Sequence, residues 1–239
     1  MKPIIMVLVA CVLFSCGNSK TTSSASAANA SIPADKVITA DAQRQLIPDS
    51  VIALLKTGNQ NFYTHKATLK NDSLRIYLTA SGQFPMAAVL SCIDSRVPVE
   101  EVFNMGIGDL FVARVAGNIE DQGILGSLEY ACNVAGAKVI MVLGHEHCGA
   151  VKSAIDNVKM GNITALLTKV QPAVDAVKTP GKRSSKNEAL VHDVARKNVE
   201  LTIEKMRKDS PILNKMEQEK KIRIVGGMYD LDSGKITFF

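Results

Sequence analysis

Two short stretches of this 239-residue chain gather the side chains that could do chemistry. Cys92-Ile93-Asp94-Ser95-Arg96 sets a thiol, a carboxyl and a guanidinium at alternate positions, and His145-Glu146-His147-Cys148-Gly149 sets an imidazole three residues before a second thiol. Cys92, His145 and Cys148 together offer two thiolates and one imidazole, donor types that suit zinc. Three protein ligands leave a fourth position for water or substrate, the pattern of a catalytic rather than a structural ion. Two thiolates cancel the formal charge of Zn2+, so such a site gains from an acceptor that holds the nucleophile in place. Asp94 is the candidate acceptor, and Arg96 can grip its carboxylate bidentately and keep it ionised. The rival reading of the same residues is a closed structural zinc site with Asp94 or His147 as fourth ligand. Taken singly, each residue also has a plainer role, as a buried cysteine, a surface ion pair or a turn histidine.

Both clusters directly follow apolar runs of strand length, at residues 86–91 and 138–144, and similar runs occur at 110–115 and 222–227. Continuous apolar runs fit parallel strands covered on both faces, and open parallel sheets place their sites at the C-terminal strand ends. Between the runs, helices are predicted over residues 124–135, 150–158, 163–177 and 187–206. A first helix is predicted over 41–56, with Pro48 marking a break or a start inside it, and an irregular linker from residue 61. Ser210-Pro211 reads as an N-cap followed by proline at the first helical position. Residues 236–239 read as a short edge strand that forms an antiparallel hairpin with 222–227. The fold class is therefore α/β: a mostly parallel central sheet flanked by helices, with a C-terminal antiparallel edge strand. Gly106 and Gly108 do not make a dinucleotide fingerprint, because Leu110 and Phe111 stand where a helix should open.

Composition narrows the partners. The formal charge is +5, from 28 basic and 23 acidic residues, too modest to suggest a polyanion. The densest basic stretch, Gly-Lys-Arg-Ser-Ser-Lys at 181–186, has no interleaved aromatics to stack bases, so it reads as a solvated loop and no nucleic-acid partner is expected. Residues 1–15 read as a lipoprotein-type signal peptide: Lys2, a mostly apolar run too short to span a bilayer, and then Leu13-Phe14-Ser15-Cys16 in the manner of a lipobox. Cys16 is the expected lipidated residue, with Cys11 and a plain cleaved signal as alternatives. Residues 16–40, rich at first in Ser, Thr, Ala and Asn, read as a flexible tether, and 41–239 as the folded domain. The expected location is the periplasm or cell envelope, on a membrane anchor. Of five cysteines, three lie beyond the signal region, an odd number that cannot pair off internally. Metal ligation accounts for Cys92 and Cys148, and Cys132, inside an apolar helical run, reads as a small core residue.

The two motifs closely resemble those of the beta-class carbonic anhydrase family, and the resemblance runs from about residue 42 to 239. Gly58-Asn59-Gln60-Asn61-Phe62, Gly82-Gln83-Phe84-Pro85, Gly108-Asp109-Leu110-Phe111-Val112, Ala116-Gly117-Asn118, Gly126-Ser127-Leu128-Glu129-Tyr130-Ala131 and Val225-Gly226-Gly227-Met228-Tyr229-Asp230 all take part. The resemblance implies a carbonate dehydratase, a hydro-lyase in which zinc-bound hydroxide attacks carbon dioxide to give bicarbonate and a proton. It implies Cys92, His145 and Cys148 as zinc ligands and Asp94 with Arg96 as a catalytic dyad. It further implies that Gln83 bonds the substrate or bicarbonate, often across a subunit boundary, and that the chain forms a homodimer, sometimes paired into tetramers, with the N-terminal helical segment wrapped on the partner. In some members the dyad aspartate can instead take the fourth zinc position in an inactive state. This chain departs from the family's usual Arg-Asn-Ala-Gly-Asn by carrying Val115 in Arg114-Val115-Ala116-Gly117-Asn118, which removes a polar group near the site but no ligand. Rival functions are hydrolysis of carbon disulfide or carbonyl sulfide on the same scaffold, and a non-catalytic zinc protein.

Overall fold

Strand-forming runs become the middle of the molecule in a computed structural model that describes residues 36–239. The signal peptide, lipidation at Cys16 and nearly all of the tether lie outside those residues. In chain order, α1 (Ala40–Gln45), α2 (Pro48–Tyr63) and α3 (Asp72–Thr79) precede β1 (Ala87–Ser91), and α4 (Val99–Val102) leads to β2 (Leu110–Arg114). Then come α5 (Gln122–Glu129), β3 (Val139–His145), α6 (Gly149–Ile155), α7 (Gly161–Ala176), α8 (Glu188–Asp209), α9 (Pro211–Gln218), β4 (Arg223–Tyr229) and β5 (Ile236–Phe238).

The five strands form one sheet in the order β2-β1-β3-β4-β5, parallel except for β5, which pairs antiparallel with β4. Alternation along each strand divides its side chains between two cores. Ala88, Leu90, Ile140 and Val142 face one core, where they meet residues of α6, α7 and α8 such as Val151, Val170, Val194 and Val199. Ala87, Val89, Met141 and Leu143 face the other, where α2 and α4 supply Val51, Leu55, Val99 and Val102. β1 and β3 are buried throughout, as strands covered on both faces should be, whereas β2 is half-buried and has no strand beyond it among the described residues. At Gly144 a Cβ would lie 2.6 Å from Val199 Cγ2 and 2.8 Å from Met228 Sδ, so the missing side chain lets α8 close onto the sheet beside the last residue of β3.

The chain runs from β1 outward to β2, then returns past β1 to β3. That reversal puts the switch point between β1 and β3, where open α/β sheets hold ligands. Several boundaries differ from the sequence expectation. Pro48 does start a helix, but α2 continues through the expected linker to Tyr63, because Asn59 is buried there: its Nδ2 donates to the carbonyls of Val102 (3.1 Å) and Gly234 (2.9 Å), and its Oδ1 accepts from Ile236 N–H (2.8 Å). α3 was not foreseen. The predicted helix over 124–135 ends as a π-helical turn, Tyr130–Val134. Asn187 and Ser210 cap α8 and α9 through side-chain bonds to Leu190 and Leu213 N–H. In α1, Gln43 is buried and donates to the carbonyls of Pro85 and Ala135, both at 2.8 Å, so this helix docks on its own chain. None of the described helices is long and apolar enough to cross a membrane.

Candidate metal centre

Cys92 is the first residue beyond β1, His145 is the last of β3, and Cys148 is the N-cap of α6. Parallel register between β1 and β3 pairs Ser91 with Leu143, so the two strand ends deliver their ligands to one place. The sulfur atoms of Cys92 and Cys148 and a ring nitrogen of His145 all lie within 4.8 Å of one another, and all three residues are buried. His145 Nδ1–H donates to the Glu146 carbonyl at 2.8 Å, which leaves Nε2 with a lone pair. That Nε2 is buried and has no hydrogen-bond partner. A buried acceptor left without a donor is costly, and here it faces two sulfurs at the spacing that one cation would bridge. The donor set and the orphaned nitrogen thus fit zinc.

Charge at the two sulfurs is arranged to match. Cys148 donates a hydrogen bond to Cys92, which, helped by Gly117 N–H, pulls the Cys92 thiol down to about 4 against its burial. Giving that bond, together with burial, pushes Cys148 up, although the amides of Val151 and Ala150 oppose this. A cation bound between the two sulfurs would take the place of that hydrogen and release the thiol proton. Cys132 lies in the core with its thiol pushed up to about 12 by burial, as an inert apolar residue should be.

Asp94 stands at the rim. Arg96 Nε donates to Oδ1 at 2.9 Å and Nη2 to Oδ2 at 2.8 Å, and the Arg96 N–H adds a third bond to Oδ1 at 3.0 Å. The guanidinium holds this carboxyl well below the usual carboxylate range. Asp94 Oδ2 lies 3.9 Å from His145 Nε2, close to the cluster while still engaged by Arg96. This is the arginine-paired arrangement rather than one in which Asp94 closes the ligand set. Arg114, at the end of β2, was not singled out as a site residue from sequence: its Nε donates to the Cys92 carbonyl at 2.9 Å and its Nη2 to the Asp94 carbonyl at 2.5 Å. An arginine ending a strand carries no such signal until its neighbours are known.

Gln83 does not join this group within one chain. It is exposed on the loop before β1, at the opposite end of that strand from Cys92. Val115 is part-buried against the core and its N–H donates to the Ser91 carbonyl, so the departure at this position keeps the backbone link to β1. His147 is half-buried in the turn, with φ +52°.

The sequence profile of the family described as "Carbonic anhydrase" matches residues 87–236. The chain is 34% identical over 188 residues to "Carbonic anhydrase 2" of Mycobacterium tuberculosis, covering 76% of this chain and 87% of that protein. It is 41% identical over 127 residues to a carbonic anhydrase of Mycolicibacterium smegmatis, covering 50% and 61%. Among solved structures, the Coccomyxa beta-carbonic anhydrase in complex with acetazolamide superposes with a TM-score of 0.62 at 26% identity, covering 77% of this chain and 83% of that one. A tetrameric beta-carbonic anhydrase from Sordaria macrospora superposes with a TM-score of 0.61 at 25% identity, covering 77% and 93%.

Proposed function

The chain belongs to the beta-class carbonic anhydrase family and catalyses the reversible hydration of carbon dioxide to bicarbonate and a proton, and we propose that it does so at a zinc ion held by Cys92, His145 and Cys148. The observation that carries this reading is the buried triad of two sulfurs and an unpartnered Nε2 beside an arginine-held carboxylate. When bound there, zinc supplies Lewis acidity that makes a hydroxide nucleophile available near neutral pH.

The chain's own residues then set the geometry. The thiolates of Cys92 and Cys148 and the His145 Nε2 fix the ligand set, with the imidazole oriented by its bond to the Glu146 carbonyl. Asp94, kept ionised by Arg96, accepts a hydrogen bond from the attacking oxygen's proton and so directs a lone pair at the carbon of carbon dioxide. Arg114 fixes the backbone of Cys92 and Asp94 against β2. The product proton leaves to buffer.

Gln83 is proposed to serve the site of a second subunit, by donating its amide to the bound substrate or bicarbonate. Its place at the far end of β1 supports this, as do the edge of β2, which has no further strand among the described residues, and the exposed Ile93, Tyr130 and Val134, which a homodimer would cover. Pairing of dimers into tetramers is the larger assembly in view. We further propose export and a lipid anchor at Cys16, supported by the lipobox-like Leu13-Phe14-Ser15-Cys16 and the tether that follows. X-ray absorption on the metal-loaded protein tests the centre itself. The reading requires one zinc per chain with two sulfur donors, one imidazole and one light-atom donor. Four protein donors, or no bound zinc, would refute it.

A further inference from the structure

Between β2 and α5 the chain passes the metal centre as a short 3-10 turn, Ala116–Asn118. Gly117 within it has φ +72°, a conformation that favours glycine, and directs its N–H at Cys92 Sγ at 3.4 Å. A side chain there would also meet Val170 Cγ2 at 3.2 Å and Ala150 Cβ at 3.3 Å. The carbonyl of this same residue accepts a bond of 2.7 Å from the side-chain amide of Asn198, in the middle of α8. Asn198 is 3% exposed, on a buried face of α8 that is otherwise apolar except for Thr202 and includes Val191, Val194, Ala195, Val199 and Ile203. An amide in such a face is costly unless it is bonded. Its donor goes to a residue whose own N–H reaches the Cys92 sulfur.

We propose that Asn198 is a positioning residue for the metal centre, holding the Gly117 residue so that its N–H stays aimed at the Cys92 thiolate. The inference rests on the reading of Cys92 as a zinc ligand. A hydrogen bond to a metal thiolate draws charge off the sulfur and fixes the direction of its remaining lone pairs, and outer-shell partners of this kind typically carry about 10- to 100-fold in metal affinity. Without Asn198, glycine's backbone freedom allows this turn to rotate and take the N–H away from Cys92. The chain just beyond the turn is tied down separately. Lys169 Nζ donates to the Glu120 carbonyl at 3.1 Å, and Lys205 pairs with the Glu120 carboxylate. Loss of Asn198 should therefore be felt at the sulfur rather than in the fold.

The test replaces Asn198 by Leu in the zinc-loaded protein, with Thr202→Val, a second buried polar position on α8, as the control. The expected result is about tenfold faster zinc release to excess chelator and a shifted thiolate-to-metal charge-transfer band after cobalt substitution, with Thr202→Val like the parent. A folded Asn198→Leu protein with parental release and an unmoved band would overturn the proposal, as would the same changes in Thr202→Val. Should Asn198→Leu not fold, Asn198→Ser, too short to reach the carbonyl, carries the same expectations. In the cadmium-113 form of the parent, a scalar coupling from the metal to the Gly117 amide proton is expected, and it should weaken in Asn198→Ser; no coupling in the parent refutes the inference. A parent protein that binds no metal would instead remove the zinc reading, and this inference with it.

Discussion

Two buried polar constellations flank the strands of this sheet, and they are finished differently. Near the N-terminal ends, Arg75 of α3 is 1% exposed, pairs with Asp109 at 2.5 Å, and donates to the carbonyls of Ile107 (3.1 Å) and Lys36 (2.5 Å). Asp109 in turn accepts from Gly106 N–H at 2.8 Å. That group answers its own charges within the chain. At the C-terminal ends, the Cys92, His145 and Cys148 cluster leaves a buried Nε2 unanswered, with a carboxylate held at its rim by an arginine that is 54% exposed. The first arrangement is built to be closed and the second to receive something. Burial and charge alone do not separate structural polar groups from functional ones: Arg75 Nη2 and Asp109 Oδ1 face each other as an ion pair, whereas His145 Nε2 faces two cysteine sulfurs and no opposite charge of its own.

Exchanging single residues should break the two constellations in different ways. Replacing Asp94 by Asn keeps shape but loses the ionised acceptor; zinc should stay bound while the rate of hydration falls by about 10²- to 10³-fold, read by stopped flow with metal analysis. Arg75→Met should do the reverse. Leaving Asp109 buried and unpaired should cost about 3–5 kcal/mol in denaturant unfolding, with the zinc affinity of the folded fraction unchanged. Gln83→Ala should lower kcat/KM by about tenfold, the loss of one hydrogen bond to an anionic ligand, and the effect should disappear in any form of the protein held as a monomer.

The smallest effect sharpens the contrast through pH. The Asp94 carboxyl is lowered in the folded protein, so its pairing with Arg96 contributes stability above the unfolded value of about 3.9 and loses it only as pH falls through the lower folded value. Because Arg96 is exposed, that contribution should be no more than about 1 kcal/mol. The stability difference between parent and Asp94→Asn should therefore be small and flat between pH 5 and 8, measured from urea midpoints. A difference that grows toward pH 8 would point to a partner other than Arg96.

The cysteine–histidine cluster was readable from sequence because its parts stand at the C-terminal ends of strands, and strands of this kind announce themselves as continuous apolar runs. Their alternation then divides the cores without further information, and Pro48, Asn187 and Ser210 mark helix starts by local chemistry. What was not readable depends on contacts distant in sequence. Asn59 looks like a loop residue until its bonds to Gly234 and Ile236 are seen. Arg75 looks like one surface arginine among many, so α3 went unforeseen. Arg114 and Asn198 act on backbone carbonyls, and a backbone carbonyl leaves no trace in residue type. Gln83 remained outside the group in space, at the opposite end of β1 from Cys92.

The measurement that bears most directly on the central claim is stopped-flow hydration of carbon dioxide by the zinc-replete protein beside Cys148→Ser. If the buried triad is the catalytic metal centre, the parent hydrates carbon dioxide rapidly, and the variant loses both zinc and activity together. Zinc bound at one per chain with no hydration at any pH between about 6.5 and 9, or a variant that loses the metal yet keeps the parental rate, would contradict it.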